Sequence, residues 1–303
     1  TGSLVVTLEA LKEMHLTPED IQLIQNDTKT CPDTGMAGAS RSLYMDGNAT
    51  IIAANKLLAA MRKEDGTLRT YDEMKAEGIE TKYLGRYETN TTPGLCRLDP
   101  NTGIGDPTPA FTYCLNLAEV EVDTKTGKTT VLKFTCVDFV GRIGNIDAVN
   151  GQAYSGIMHG IGFALKEDYA DVKKHANMFG AGTSYIKDVP DDINLIHIDG
   201  AISDGPFGSS GASEAFQASG HCAVLNGIYN ACGVRIHEIP ALPEKVKAGL
   251  DAIAKGEKPY EPKKYFLGSD MYEELENIKE NPVQVGTQSF YVSLDDPTAE
   301  RPF

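Results

Sequence analysis

The chain has 303 residues and carries 28 basic against 43 acidic side chains, giving a net charge of -15 and a pI near 4.8. This acidity argues against nucleic acid or an anionic membrane as a partner, and no apolar run approaches the ~18 residues that a membrane span needs. The length suffices for two domains or one large α/β unit.

The cysteines and histidines show no spacing typical of a metal site. Because no C-x-x-C pair occurs, a zinc knuckle, a dithiol redox motif or an iron–sulfur cluster within this chain is disfavoured. Scattered thiols fit the reducing cytoplasm. We therefore predict a cytoplasmic protein with no metal held by its own side chains; the residues considered are Cys31, Cys96, Cys114, Cys136, Cys222, Cys232, His15, His159, His175, His197, His221 and His237.

Hydrophobic periodicity predicts mostly helices before residue 111. In chain order, we expect a helix that begins at the first residue and continues to about 14, a short strand over 21–25, a loop over 26–42, a helix over 43–62, a small surface helix over 70–78 and an insertion or crossover loop over 80–110.

Residues 111–141 carry the clearest strand pattern, with partial alternation on both sides of a turn at 123–128, and predict a β-hairpin. A helix over 147–166 follows, and small residues recur along one of its faces. That face favours either close helix packing or contact with a cofactor. Gly160-x-Gly162 lacks the third glycine of a dinucleotide-binding motif, so we reject that interpretation.

The remaining chain is expected to form, in order, a strand over 193–199, a glycine- and serine-rich loop over 205–216, a helix over 216–231, a strand over 234–239 and a helix over 243–255. Beyond these lies a polar arm over 256–303 that wraps over a neighbour and has one helix near 270–279. Strands and helices alternate without a continuous βαβ repeat, which indicates an α+β fold with mixed sheets and packed helices. Residues 1–255 are the predicted main domain, in one or two α/β lobes.

Glu214 ends the glycine- and serine-rich loop at the predicted start of the following helix. Two interpretations are open. The carboxylate complements the helix dipole in the first turn, or it serves as a general base beside an anion site formed by backbone N–H groups and hydroxyls.

Three segments together resemble sequence blocks of the molybdenum hydroxylases, the xanthine oxidase and aldehyde oxidoreductase family. They are residues 26–49, residues 141–165 with Gly151-Gln152, and residues 208–214, in matching order and approximate spacing. The similarity covers about 1–250 and is greatest to bacterial aldehyde oxidoreductases, including Asp-Gly-Pro-Phe-Gly at 204–208 and the run from Pro240. The resemblance implies the carboxy-terminal half of the molybdopterin-binding domain.

The resemblance also assigns roles to residues. Glu214 corresponds to the catalytic base, and Gln152 to a glutamine that hydrogen-bonds near the molybdenum end of the cofactor. Pterin sulfurs hold the metal in this family, so protein ligands are not expected. Residues assigned to cofactor binding are Ala37, Gly38, Ala39, Ser40, Arg41, Ser42, Gln152, Ser210, Gly211, Ala212 and Ser213.

Two departures flank the expected substrate pocket. Ser213 stands where the family has glycine before its glutamate, with no nearby proline following, and His159 stands where glutamine is usual. Both leave the substrate class open: an aldehyde is the first expectation, and a nitrogen heterocycle such as a purine, xanthine or nicotinate is the alternative. A non-catalytic scaffold or assembly module is the alternative from another class, which Glu214 and Gln152 disfavour.

The resemblance further implies partners and cofactors. The cofactor is expected to be molybdopterin in its cytosine dinucleotide form. The amino-terminal half of the molybdenum domain, 2Fe-2S clusters and an optional FAD domain are expected in a partner chain or in a missing amino-terminal part. The chain is thus either a fragment or one subunit of a split, oligomeric enzyme.

Overall fold

The computed structural model describes residues 2–25, 27–35, 37–89, 99, 105, 108, 110–171, 173–202, 204–257 and 280. Its helices are α1 Gly2–Ala10, α2 Ser42–Met61, α3 Tyr71–Ala76, α4 Ile146–Leu165, α5 Ser213–Ala218, α6 Gly220–Cys232 and α7 Pro243–Ala254. The strands are β1 Tyr113–Val122, β2 Thr129–Phe139 and β3 Asp192–His197. Contacts group Thr1–Pro259 in one compact unit.

The strands form one mixed sheet in the order β1-β2-β3. β1 and β2 are the predicted hairpin, paired antiparallel with a bulge between Glu119 and Val120, and β3 runs parallel to β2. At the hairpin turn the Lys125 N–H donates to Asp123 Oδ1 at 2.8 Å, and Gly127 has φ +77°. A side chain at 127 would lie 2.0 Å from the Pro243 carbonyl oxygen, so the turn requires glycine.

Helices α4, α5 and α6 cover one face of the sheet. Phe134 and Cys136 of β2 are fully buried against α4, α5 and α6; the helix residues are Ala153, Ile157, Ile161, Phe216 and Val224. The mixed helix and strand architecture confirms the predicted α+β class.

The small-residue face of α4 packs against helices. A Cβ at Gly156 would lie 2.6 Å from Phe216 Cβ, and one at Gly160 would lie 2.9 Å from Gly220 Cα. These two glycines therefore show close helix packing, which is the first of the two interpretations of this face.

Three predicted elements are wrong in detail. Ile21–Gln25 and Val234–Ile239 are not strands. Val234 instead packs with Ile228, Ala241 and Val246 in a small cluster beside α7. The helix predicted over 216–231 is two helices separated at Ser219, whose Oγ accepts from Asn116 Nδ2 at 2.9 Å.

Several boundaries are confirmed closely. α2, α4 and α7 match the predicted helices within one residue at each end, and α3 lies inside the predicted 70–78. The first helix ends at Ala10, and a 3₁₀ turn, Lys12–Met14, follows. The predicted arm over 256–303, with its helix near 270–279, lies almost wholly outside the described residues, and the division at 255/256 stays a prediction.

Candidate active site

The candidate site forms where two loops distant in sequence meet. The Glu214 N–H donates to Ser40 Oγ at 2.9 Å. A Cβ at Gly211 would lie only 1.4 Å from the Ser40 carbonyl oxygen, so only glycine permits this approach. The segments before α2 and before α5, both predicted to contact the cofactor, are therefore in direct contact.

The loop before α2 has an unusual backbone. Ala39 and Ser40 are consecutive non-glycine residues in the left-handed region, with φ +55° and +53°. Such conformations are sparsely populated and persist where the surroundings enforce them. Here the contact with Gly211 and the hydrogen bond from Glu214 fix the loop, which aims Ser40 Oγ at the start of α5.

The loop before α5 is tied to the end of β2. Gly141 and Ser209 form a bridge, and Ser209 Oγ donates to the Arg142 carbonyl at 2.6 Å. The Ser210 N–H donates to the Val140 carbonyl at 3.2 Å. These bonds hold the loop against the end of β2 and so fix the backbone that leads to Glu214.

Glu214 lies in the first turn of α5 and is exposed. Since α5 has only six residues, and α6 is a separate helix, the dipole beside Glu214 is smaller than the predicted long helix would give. Both interpretations of Glu214 stay predictions, and its exposure leaves the carboxylate accessible to a ligand.

The two loops, together with residues just before β1, line an open cavity of about 390 Å³. Its lining combines backbone, hydroxyls, one guanidinium and one carboxylate; the residues are Ala39, Ser40, Arg41, Tyr44, Thr108, Ala110, Thr112, Ser210, Gly211, Glu214 and Ala215. Burial raises the pKa of Tyr44 above its usual value, so its hydroxyl keeps its proton. Hydroxyl and backbone groups at this density suit a ligand rich in nitrogen and oxygen, and the donor set fits a pterin.

Six of the residues predicted to bind the cofactor do not line this cavity. Gln152 is exposed on α4, and the contacts of Gly156 with Phe216 and of Gly160 with Gly220 show that α4 runs parallel to α5 and α6. The structure does not bring into the lining Ala37, Gly38, Ser42, Gln152, Ala212 or Ser213.

Sequence reasoning missed a partly buried polar network centred on Asp138. His197 Nδ1 lies 2.7 Å from Asp138 Oδ2, and Nε2 lies 2.8 Å from Asn150 Oδ1. Burial raises the pKa of Asp138, and the hydrogen bond from His197 partly opposes this. The network links β2 and β3 to the start of α4. In the sequence, the only signal for Asp138 was a charged residue at a position of β2 where the alternation predicts a buried side chain.

Other features of the described residues are plain. No described helix is long and apolar enough to cross a membrane. Within the described ranges no cluster of three or more histidine, cysteine, aspartate or glutamate side chains could hold a metal ion.

Comparison with known proteins identifies related chains. Residues 3–190 match the model of the molybdopterin cofactor-binding domain. The aldehyde oxidoreductase of Megalodesulfovibrio gigas is 43% identical over 244 residues, covering 80% of this chain and 27% of the relative. The probable hypoxanthine oxidase of Escherichia coli K12 is 28% identical over 264 residues, covering 82% of this chain and 28% of the relative.

A solved structure agrees with these matches. The crystal structure of the aldehyde oxidoreductase from Desulfovibrio desulfuricans superposes with a TM-score of 0.75 at 44% identity, covering 81% of this chain and 27% of that chain. The present chain thus spans about a quarter of the length of the relatives it matches.

Proposed function

Because the chain belongs to the molybdopterin cofactor-binding domain family, we propose that it is the carboxy-terminal half of the molybdopterin-binding domain of a molybdenum hydroxylase. The proposed reaction oxidises an aldehyde to a carboxylic acid with water as the oxygen source. One observation carries the proposal: the contact between Ser40 and the segment of Glu214 borders a polar cavity, and Glu214 is the single carboxylate among its described lining residues.

The chain's own residues divide the work. Ser40, Arg41 and Ser210 line the cavity and would hold the pterin through hydroxyl, guanidinium and backbone groups. Gln152, exposed on α4, would hydrogen-bond near the molybdenum end of the cofactor, as the family resemblance implies. When bound, the molybdenum cofactor supplies two-electron redox chemistry.

Glu214 would act as the general base. Its carboxylate accepts the proton of the water that attacks the substrate carbon, and its backbone N–H, fixed on Ser40 Oγ, holds the start of α5 in place during the transfer. The side chain is exposed at the cavity, so the substrate and the attacking water can both reach it.

The wider assembly follows from the length of the relatives. Since the match covers only 27% and 28% of these two relatives, the proposal includes the amino-terminal half of the molybdenum domain and 2Fe-2S domains, with or without FAD. These would lie in the same polypeptide or in partner subunits of an oligomer in the cytoplasm. The cytosine dinucleotide form of the cofactor belongs to the same proposal.

A heterocycle hydroxylase is the second candidate. The relative described as a probable hypoxanthine oxidase matches 82% of this chain, and the departures at Ser213 and His159 leave the pocket's preference open. The higher identity to the aldehyde oxidoreductase favours the aldehyde.

Oxygen transfer from labelled water tests the proposal. The complete enzyme that contains this chain, at measured molybdenum content, is incubated with an aldehyde or with hypoxanthine in water labelled with oxygen-18. We expect one labelled oxygen in the carboxylate product and slower or absent turnover of hypoxanthine. Fast hypoxanthine turnover would favour the second candidate. A complete enzyme with neither molybdenum nor turnover would leave only the interpretation of the chain as a non-catalytic scaffold.

A further inference from the structure

The outer face of the three-stranded sheet is apolar at one end. β1 exposes Tyr113, Leu115 and Leu117 at 64%, 55% and 57%, and Ile196 of β3 is 44% exposed. The pairing register places Leu115, Val137 and Ile196 in one row across all three strands. A sheet with one face in water normally alternates apolar inward with polar outward, so this end departs from the solvent pattern.

Neighbouring side chains extend the same patch. The next row toward the site pairs Tyr113 with Phe139, whose rings lie 6.3 Å apart. Phe111 and Ile198 continue it at the same end, and both are exposed. Contiguous apolar patches of this kind mark interaction surfaces in soluble proteins.

The other end of the face is charged. Glu119, Lys133 and Asp192 share a row, and Lys133 Nζ lies 3.2 Å from Asp192 Oδ2. These charged side chains suit contact with water. The change from apolar to charged within one face gives the patch a boundary.

The exposed apolar residues do not belong to the inner face of the sheet, because α4, α5 and α6 cover that face. Phe134 and Cys136 of β2 point to those helices and are fully buried, while Leu115 and Ile196 lie on the opposite side. The helices that pack on the sheet, α4, α5 and α6, lie on the side of Phe134 and Cys136.

The apolar end adjoins the candidate active site. Thr112, which lines the site cavity, directly precedes Tyr113, and Gly141, which bridges to Ser209, follows Phe139 by two residues. A polypeptide that completes the open cavity is therefore placed to cover this end as well. The matched relatives have about three quarters of their length outside the part that this chain covers, which supplies such a polypeptide.

We propose that the apolar end of the outer sheet face, defined by Tyr113, Leu115, Val137, Phe139 and Ile196, docks the remaining molybdenum-domain polypeptide of the hydroxylase. This inference rests on the proposed function, since it takes the chain as part of a larger enzyme. The occupant lies in the same polypeptide or in a partner subunit and presents an apolar surface. The charged row at Glu119 stays in water.

Site-specific photo-crosslinking in the complete enzyme tests the docking. A benzophenone amino acid replaces Leu115 or Ile196 at the apolar end, and Leu132 is the matched control, since it is equally apolar and 51% exposed but lies beside the bulge near the charged end. After irradiation, mass spectrometry identifies the crosslinked peptides.

We expect Leu115 and Ile196 to crosslink to a peptide whose sequence aligns with the aldehyde oxidoreductase outside the stretch matched here, and Leu132 to give several-fold less of that product. A crosslink to a second copy of residues 1–257, a crosslink to residues 258–303, or equal yields at all three positions would each overturn the inference. Molybdenum content and aldehyde turnover of the unsubstituted enzyme are measured in parallel. If these are absent while the expected crosslinks form, the proposed function fails and the docking surface stands.

Discussion

A single methyl group at Gly156 should disturb the site from behind. Its Cβ would lie 2.6 Å from Phe216 Cβ and 2.8 Å from the Phe216 carbonyl carbon, whereas carbon atoms in good contact are about 3.5–4.0 Å apart. Relief requires α4 and α5 to separate by roughly 1 Å. Glu214 stands two residues before Phe216 on the same short helix, so the carboxylate moves with it.

The expected cost follows from two opposed effects. Overpacking a well-packed contact costs about 1–3 kcal/mol, while Gly→Ala within a helix contributes about 0.5–1 kcal/mol of stability. The net effect of Gly156→Ala is a loss of up to roughly 2 kcal/mol. A misplacement of about 1 Å at a reacting group can cost on the order of 10²-fold in rate. The turnover of Gly156→Ala should therefore fall by more than its loss of stability alone would explain.

Gly151→Ala is the matched control. Gly151 is exposed on the same helix, and a Cβ there would meet no atom within 4 Å. That variant should gain the helical ~0.5–1 kcal/mol and keep its activity. The assay is the thermal unfolding midpoint of the complete enzyme together with aldehyde turnover per molybdenum. If Gly156→Ala matches Gly151→Ala in both, the close contact does not position Glu214.

Three further outcomes are expected. Ser40→Leu or Gln152→Leu should lower the molybdenum content of the complete enzyme, because each removes a hydrogen-bonding group worth about 1–3 kcal/mol when its partner is buried, whereas Glu214→Gln should not; equal metal content in all three would show that the loops were misassigned. Burial raises the pKa of Asp138, so the stability from its protonation is present below about pH 4 and is lost as pH rises through the raised pKa. Asp138→Asn should therefore lose less stability than wild type as pH rises from about 4 to 7, and parallel unfolding curves would contradict this. Residues 1–303 expressed alone should hold no stoichiometric molybdenum, because the match covers only 27% of the related aldehyde oxidoreductase and most of that protein has no counterpart in this chain. One molybdenum per chain by elemental analysis would refute this.

Long periodic elements were predictable from the sequence, and short ones were not. α2 and α4 each span 20 residues with an apolar stripe, so their ends fell within one residue of the prediction. Residues 21–25 and 234–239 are short runs in which apolar and polar residues mix, and strand hydrogen bonds depend on a partner that the local pattern does not reveal. In the structure Val234 buries its side chain in a cluster beside α7 and forms no strand.

The break at Ser219 follows from a tertiary contact. Gly220 must approach Gly160 of α4, and Ser219 Oγ accepts from Asn116 of β1. Neither partner is near in sequence, so the apolar pattern alone predicted one continuous helix.

The site was predictable in part. Motif resemblance selected Ser40 and Glu214, which the structure joins by a hydrogen bond. Thr112 and Tyr44 line the same cavity but carry no motif, because their position follows from how β1 and α2 fold around the loops. The roles of all the predicted site residues stay predictions.

Single-turnover reduction of the metal centre by an aldehyde tests the central claim most directly. Glu214→Gln is compared with wild type at matched molybdenum content, with Glu244→Gln as control, since Glu244 is likewise an acid in the first turn of a helix. Because an amide cannot accept the proton of the attacking water, we expect the Glu214 variant to lose about 10²–10⁴-fold or more in rate and the control to keep its rate. A Glu214→Gln rate within tenfold of wild type would contradict its role as the general base.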